Sequence, residues 1–365
     1  MIKMRLAKLR RLLAARGLDG LLVTHAANRR YLSGFSPDDG QPGESSGALL
    51  ITQADALLLT DFRYELTARE QAAYYNVHIY PRGLAALLKD LLPGLGVKRL
   101  GFEDAALLVA QHQRLAEALA GVELKPTQGL VAGLRARKDP VELASMERSL
   151  ALMEKVLDQA LDGDLVGYSE RQLALRLMRA VEDQGGDGPA FPPIVASGPN
   201  AAEPHAEPGE RLIQAGETVI FDVGARVDGY MSDISRTVVA GGLSQADERF
   251  RQVYAIVRQA QSAAFAGIRP GMTGNQADAL AREVIERAGF GERFGHSLGH
   301  GVGLCTHEAP SLGPNSTEVL QPGMVFTLEP GIYLPGWGGV RLEQMVVLEA
   351  QGCRLLNRLD RFYDL

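Results

Sequence analysis

Two aspartates, Asp222 and Asp233, lie in the stretch Phe221–Thr237, FDVGARVDGYMSDISRT. The dipeptide Asp228-Gly229 accepts the positive φ of a tight hairpin, so it predicts a turn between two short strands. That turn sets Asp222 opposite Ser235 and Asp233 opposite Gly224. The two carboxylates then share one face as diagonal neighbours. Like charges so close repel and lose hydration, and burying them requires a cation. Alone, the pair would read as solvated hairpin residues. The chain downstream supplies further ligands.

Three of the seven histidines, His296, His300 and His307, fall within FGHSLGHGVGLCTHE. His296 and His300 have helical H-x-x-x-H spacing, but Gly295, Gly299, Gly301 and Gly303 interrupt any helix there. A helical zinc site is therefore not expected. Such glycines fit a backbone that passes close to a ligand or a second strand. Glu329 ends the apolar run VFTLE, and Glu343 is expected midway in a strand over Gly339–Val347 (GVRLEQMVV). A carboxylate in an apolar strand is costly unless it is paired or metal-bound. Asp222, Asp233, His300, Glu329 and Glu343 thus form five candidate metal ligands. Two cations a few ångströms apart can share one water and lower its pKa toward about 7. One of them would polarise a scissile carbonyl. His307 or His205 could donate to the resulting oxyanion, and Glu329 could carry the water proton to the leaving amine. An oxygen-rich set with one imidazole suits Mn²⁺ and accommodates Co²⁺ or Zn²⁺.

These residues must be positioned by a chain of 365 residues, long enough for two domains. The net charge of −6 argues against a nucleic-acid partner. Two cysteines, Cys305 and Cys353, make no disulfide framework, which fits a reducing cytoplasm. No apolar run approaches the length of a membrane span. The basic start, MIKMRLAKLRRLLAARG, lacks the apolar core of a targeting peptide and is expected as an amphipathic helix ending at Gly17.

Strands and helices alternate over the first 125 or so residues, which predicts an α/β layer without evident chemistry. Strands are expected at Gly20–Thr24, Ala48–Thr52, Ala56–Thr60, Val77–Tyr80 and Arg99–Phe102. Helices are expected at Arg63–Tyr75, Leu84–Leu92 and Ala105–Ala120. Tyr31–Phe35 reads as turn-rich, followed by a polar loop over Ser36–Gly47, and Pro126–Gly133 as a linker. Asp139 and Pro140 then open a long helix, and Ser169 caps another. Two more helices, Ser244–Ile268 and Gly274–Ala288, precede a glycine-rich stretch of short strands.

The segments FDVGARVDGYMSDISRT, HSLGHGVGLCTHE, FTLEPGIY and GVRLE, in this order, resemble the metallopeptidase family of aminopeptidase P, prolidase and methionine aminopeptidase. The resemblance implies an α/β (α+β) chain, with a non-catalytic creatinase/prolidase-like domain over residues 1–130 and a pita-bread catalytic domain over 135–365. RYLSGF and DFRY in the first part resemble the Xaa-Pro branch, and the extra domain disfavours methionine aminopeptidase activity. By this resemblance Asp222 chelates one metal, Asp233 and Glu343 bridge two, and His300 and Glu329 hold the second. His205 and His307 would contact substrate, Arg341 would lie beside the bridging glutamate, and His296 would sit near the site. The implied function is an Xaa-Pro aminopeptidase acting on proline-containing peptides as a homodimer.

The chain departs from many prolidases at Ser311, where an arginine can pair with a dipeptide's carboxylate. This favours longer peptides over the alternative of an Xaa-Pro dipeptidase. Gln344 replaces a frequent acid and is expected to tune the site. Cys305 is expected to be a small packed residue. A metal-free hydrolase resembling creatinase and a non-catalytic peptide-binding module are both disfavoured by the full ligand set.

Overall fold

The structure, a computed structural model, describes residues 1–41 and 43–365. The chain divides into two compact units, Met1–Arg135 and Ala136–Leu365.

The first unit holds a six-stranded mixed sheet, with β1 (Gly20–Val23), β2 (Ala48–Thr52), β3 (Ala56–Thr60), β4 (Asn76–Ile79), β5 (Arg99–Phe102) and β6 (Glu123–Pro126). Their order is β4-β3-β2-β1-β5-β6. The apolar runs GLLV and ALLIT are buried along their whole length, as strands covered on both faces must be. Helices α1 (Ile2–Ala15), α2 (Ala26–Ser33), α3 (Glu65–Gln71), α4 (Leu84–Leu91), α5 (Val109–Ala118) and α6 (Leu130–Ala136) complete the unit and its boundary.

Several expectations are corrected here. The turn-rich segment around Tyr31 is the helix α2, closed by Gly34 at φ 85°. Its pattern is hidden because it buries polar side chains, Asn28, Arg29 and Ser33. Arg29 is fully buried, and its Nη1 and Nη2 donate to Asp39, Ser46 and the carbonyls of Thr24 and Pro37. The expected linker is no linker: β6 runs to Pro126 and α6 begins at Leu130. Helix α5 starts only at Val109, and α3 follows a short 3₁₀ turn, Phe62–Tyr64. The loop expected over Ser36–Gly47 includes Pro42, which lies outside the described residues.

The second unit opens with α7 (Pro140–Leu161) and α8 (Glu170–Asp183). Asp139 caps α7 through the backbone N–H groups of Val141 and Glu142, with Pro140 in the first turn. Ser169 caps α8 through the N–H of Gln172. Short strands β7 (Gly188–Pro189) and β8 (Ile194–Ser197) lead to the hairpin β9 (Thr218–Val223), β10 (Ala225–Val227), β11 (Tyr230–Met231) and β12 (Ile234–Val239). Its turn is Asp228-Gly229, with φ 51° and 74°, values an L residue adopts only at a cost and glycine adopts freely. Helices α9 (Glu248–Gly267) and α10 (Gly274–Arg287) follow, α9 capped by Asp247 later than the sequence suggested. The C-terminal part folds as β13 (Gly299–Gly301), β14 (Glu308–Leu312), β15 (Val325–Leu328), β16 (Gly331–Leu334), β17 (Gly338–Arg341), β18 (Gln344–Glu349) and β19 (Gly352–Leu355).

Two large cores hold much of this unit. In one, the buried face of α9 (Phe250, Val253, Tyr254, Val257, Ala260, Ala264) packs with Phe326, Leu328, Leu342 and Val346. In the other, Met146, Leu150, Met153 and Leu157 of α7 pack with Val219, Phe221 and Val223 of β9 and with Met345. The strand expected over Gly339–Val347 is in fact two. β17 pairs with β16 and β18 pairs with β15, and Leu342 and Glu343 belong to neither ladder. Among the described residues no helix is long and apolar enough to cross a membrane.

Candidate metal centre

The hairpin register places Ser235 opposite Asp222. Asp222 stands near the end of β9, and Asp233 stands just before β12. His300 is central in β13, a strand and not a helix. The flanking glycines allow close approach of neighbouring backbone: a Cβ at Gly299 would meet the Thr327 carbonyl oxygen at 2.0 Å, and one at Gly301 the Ala309 oxygen at 2.2 Å. Glu329 follows β15, and Glu343 occupies the break between β17 and β18. At that break the backbone leaves one sheet for another, which turns the carboxylate out of the apolar ladder.

All nine residues singled out in the sequence line one cavity of about 480 Å³. Asp233, His300 and Glu343 offer ligand atoms that all lie within 4.8 Å of one another. His300 Nε2 is 3.2 Å from Glu329 Oε1 and 3.6 Å from Asp233 Oδ2. The other imidazole nitrogen, Nδ1, is 3.1 Å from the Gly301 carbonyl oxygen. A carbonyl only accepts, so Nδ1 carries a proton, and Nε2 is the atom turned to the carboxylates. Asp222 Oδ2 accepts from Arg341 Nη2 at 2.6 Å, while its buried Oδ1 has no partner.

Four carboxylates thus share one cavity with the guanidinium of Arg341 and the imidazole of His300, and three further histidines line it. Burial, with the charge of Glu343 beside it, pushes the Asp233 carboxyl well above its usual range. Burial and the charge of Glu329 do the same to Glu343. Burial raises Asp222 despite Arg341. Glu329 instead is held low against its burial by the His300 hydrogen bond. His300 is raised against its burial by Glu329. These directions describe carboxylates that repel one another and lack positive charge. With the unpaired Asp222 oxygen and the oxygen-rich donor set, they fit divalent cations.

His205 and His307 are exposed at the cavity rim. The His307 ring lies 4.2 Å from that of His300, and burial and His300 lower its pKa. His296 is buried more deeply and lowered by that burial. Its Nε2 contacts the Tyr333 hydroxyl at 2.9 Å. That hydroxyl also accepts from Arg341 Nη1 at 3.0 Å, and burial pushes it up to about 12. Tyr333 belongs to the segment FTLEPGIY, where nothing local assigns it a role. Ser235 is the second omission: it donates to Glu343 Oε2 at 2.8 Å and accepts from Arg341 Nε at 3.0 Å. Its position opposite Asp222 was the available signal. Thr327 is the third, bridging the His300 N–H and Glu329 Oε1. Glu308, the acid next to His307, forms a buried ion pair with Lys138 at 2.8 Å.

A two-unit chain whose second unit gathers four carboxylates and an imidazole in one cavity has the makings of a metal-dependent hydrolase. Residues 144–350 match Metallopeptidase family M24, and residues 5–137 match the Creatinase/Prolidase N-terminal domain. The chain belongs to this family, in its aminopeptidase P and prolidase branch, and is a metallo-exopeptidase with an N-terminal creatinase-like domain and a pita-bread domain. It is 37% identical over 354 residues to an uncharacterized peptidase, YqhT, of Bacillus subtilis, covering 97% of this chain and 98% of the other. Its structure is similar to an Xaa-Pro dipeptidase from Bacillus anthracis, with TM-score 0.91 and 36% identity over 98% of this chain and 97% of that one. It is also similar to an X-Pro aminopeptidase from Thermotoga maritima, with TM-score 0.86 and 32% identity over 97% and 98% of the two chains.

Proposed function

We propose that this chain is a dinuclear metal-dependent Xaa-Pro aminopeptidase, releasing the N-terminal residue of a peptide whose second residue is proline. The observation that carries the hydrolytic part is the convergence of Asp222, Asp233, His300, Glu329 and Glu343 on one cavity. These five residues would hold the metal, with Mn²⁺ favoured by the oxygen-rich set and Co²⁺ or Zn²⁺ accommodated. Bound divalent ions supply an acidified water and polarise the scissile carbonyl.

The protein's own groups divide the remaining work. Glu329, 3.2 Å from His300 Nε2 in the cavity, can accept a proton from the water and return it to the leaving amine. His307, kept neutral by its lowered pKa, offers one N–H donor at the rim, and His205 another, for a developing oxyanion. Arg341 orients Asp222 and is itself fixed by Ser235, Tyr333 and the Pro204 carbonyl.

Names among the similar proteins include both dipeptidase and aminopeptidase. Ser311, which lines the cavity, favours longer peptides: it offers no cation to a free carboxylate, and no Lys or Arg occurs between Glu308 and Leu328. A comparison of kcat/KM on Xaa-Pro and Xaa-Pro-Yaa peptides decides the point. Preference for the dipeptide overturns the aminopeptidase reading in favour of an Xaa-Pro dipeptidase. Proline-specific release in neither case, with Mn²⁺ or Co²⁺ present, overturns both.

We assign catalysis to residues 135–365 and a non-catalytic role to residues 1–130. The family resemblance supports a homodimer, which light scattering of the full chain tests. The two cysteines, Cys305 and Cys353, are thiols, which supports a cytoplasmic location.

A further inference from the structure

The carboxylates of Glu329 and Glu343 stand where two strand pairs part, and something must hold the backbone at that parting. Leu328 is the last residue of β15, and Leu342 lies beyond the end of β17. Gln261, on α9 and 1% exposed, sends its two amide N–H bonds to these two carbonyls. Nε2 donates to Leu328 O at 3.0 Å and to Leu342 O at 2.7 Å. Each carbonyl belongs to the residue immediately before a candidate ligand.

The amide is oriented from its other end. Arg258, one turn earlier on α9, donates from Nη1 to Gln261 Oε1 at 2.9 Å, which leaves the NH₂ group facing the carbonyls. On the other side of Glu343, fully buried Arg236 donates from Nη1 to the Glu343 carbonyl at 2.7 Å and to the Ser235 carbonyl at 3.0 Å. Its Nη2 donates to Leu359 O at 2.9 Å. The two guanidiniums share one aromatic ring. Phe362, three residues from the end of the chain given, lies 3.9 Å from the Arg258 guanidinium and 4.3 Å from that of Arg236, measured to its ring centroid. An aromatic face attracts cations, so one ring can hold two arginines that would otherwise repel.

The geometry points to Gln261, Arg258, Arg236 and Phe362 as positioning residues that fix the backbone carrying Glu329 and Glu343, with the C-terminal segment as their anchor. None of the four lines the cavity. Their action on the site passes through the backbone: Gln261 and Arg236 hold the carbonyls, and Arg258 and Phe362 hold those two side chains in place. This inference rests on the reading of Glu329 and Glu343 as metal ligands.

The test uses the metal-stripped full chain and Mn²⁺ alone, titrated by calorimetry. Groups that orient metal ligands without touching the metal change its affinity by roughly 10- to 100-fold. Phe362→Ala and Gln261→Met are each expected to weaken Mn²⁺ binding by about that factor. Phe362→Tyr, which keeps the ring, is expected to restore it. In Phe362→Ala, excess Mn²⁺ is expected to recover most of kcat, with KM for an Xaa-Pro-Yaa peptide little changed. Unchanged affinity in Phe362→Ala overturns the inference, as does an affinity loss that Phe362→Tyr fails to restore. If Gln261→Met does not fold, the half-buried tail position Phe362 decides alone. Glu343→Gln is the control: retention of full Mn²⁺ affinity there would overturn the metal-site reading itself, a result distinct from a failure of the positioning set.

Discussion

Arg341 and Asp222 meet in the cavity wall, Nη2 to Oδ2 at 2.6 Å, 119 residues apart in sequence. The contact occupies one oxygen of Asp222 and leaves the other, buried Oδ1, without a partner. A guanidinium in this place does two things. It lowers the cost of an ionised Asp222 among other carboxylates, and it aims the free oxygen. Arg341→Lys keeps the charge but loses the planar fork that engages Ser235, Tyr333 and Asp222 together. Activity with Mn²⁺ is expected to fall by roughly 10- to 100-fold in Arg341→Lys, with kcat affected more than KM. Steady-state kinetics at saturating metal check this.

Asp233 and Glu343 are the buried pair least able to remain ionised without a cation. Asp233→Ala and Glu343→Ala are each expected to lose bound metal and to lower activity by more than about 100-fold, beyond the usual cost of an outer-shell change. Elemental analysis of the purified variants, alongside proline release, provides the measurement. An active, metal-replete variant of either residue would remove the basis for the site.

Ser311 lines the cavity. Introducing a cation there with Ser311→Arg is expected to improve kcat/KM for Xaa-Pro relative to Xaa-Pro-Yaa by about tenfold or more, the worth of one charge-assisted hydrogen bond to a carboxylate. A ratio that does not move would show that the free carboxylate does not approach this position.

The hairpin carrying both aspartates turns at Asp228-Gly229, with Gly229 at φ 74°. A Cβ there is strained, so Gly229→Ala is expected to cost about 1 to 2 kcal/mol. Thermal unfolding of the full chain would show it as a lowered Tm.

In the first unit, Asp39 is held below its ordinary range by its hydrogen bonds with Arg29 and Ser46, which outweigh its burial. Both carboxylate oxygens engage Arg29, at 2.9 and 3.0 Å. The sign follows from the depressed folded value. The contribution is present above the unfolded pKa of about 4 and is lost as pH falls through the lower folded one. Asp39→Asn is therefore expected to flatten part of the acid-side loss of stability, measured by denaturant titration between about pH 5 and pH 3.

The sequence by itself determined the types of the candidate ligands, the turn at Asp228-Gly229, the caps at Asp139 and Ser169 and most strand positions in the first unit. All of these rest on local rules: positive φ at glycine, side-chain oxygens at helix starts, and unbroken apolar runs. It could not show that Glu343 stands in a gap between two strands, because GVRLEQMVV reads as one continuous ladder until its two halves find different partners. Nor could it reveal α2, which buries Asn28, Arg29 and Ser33 beside its apolar residues and bonds Arg29 and Asn28 to partners outside the helix. Tyr333, Ser235 and Gln261 were silent for the same reason. Their hydrogen bonds span 8 to 108 residues and exist only once the sheets and α9 have closed around the cavity. Residue identity and local spacing set which groups could bind a cation. Tertiary packing decided which atoms face one another, because a buried polar side chain must find its partner wherever the chain brings one.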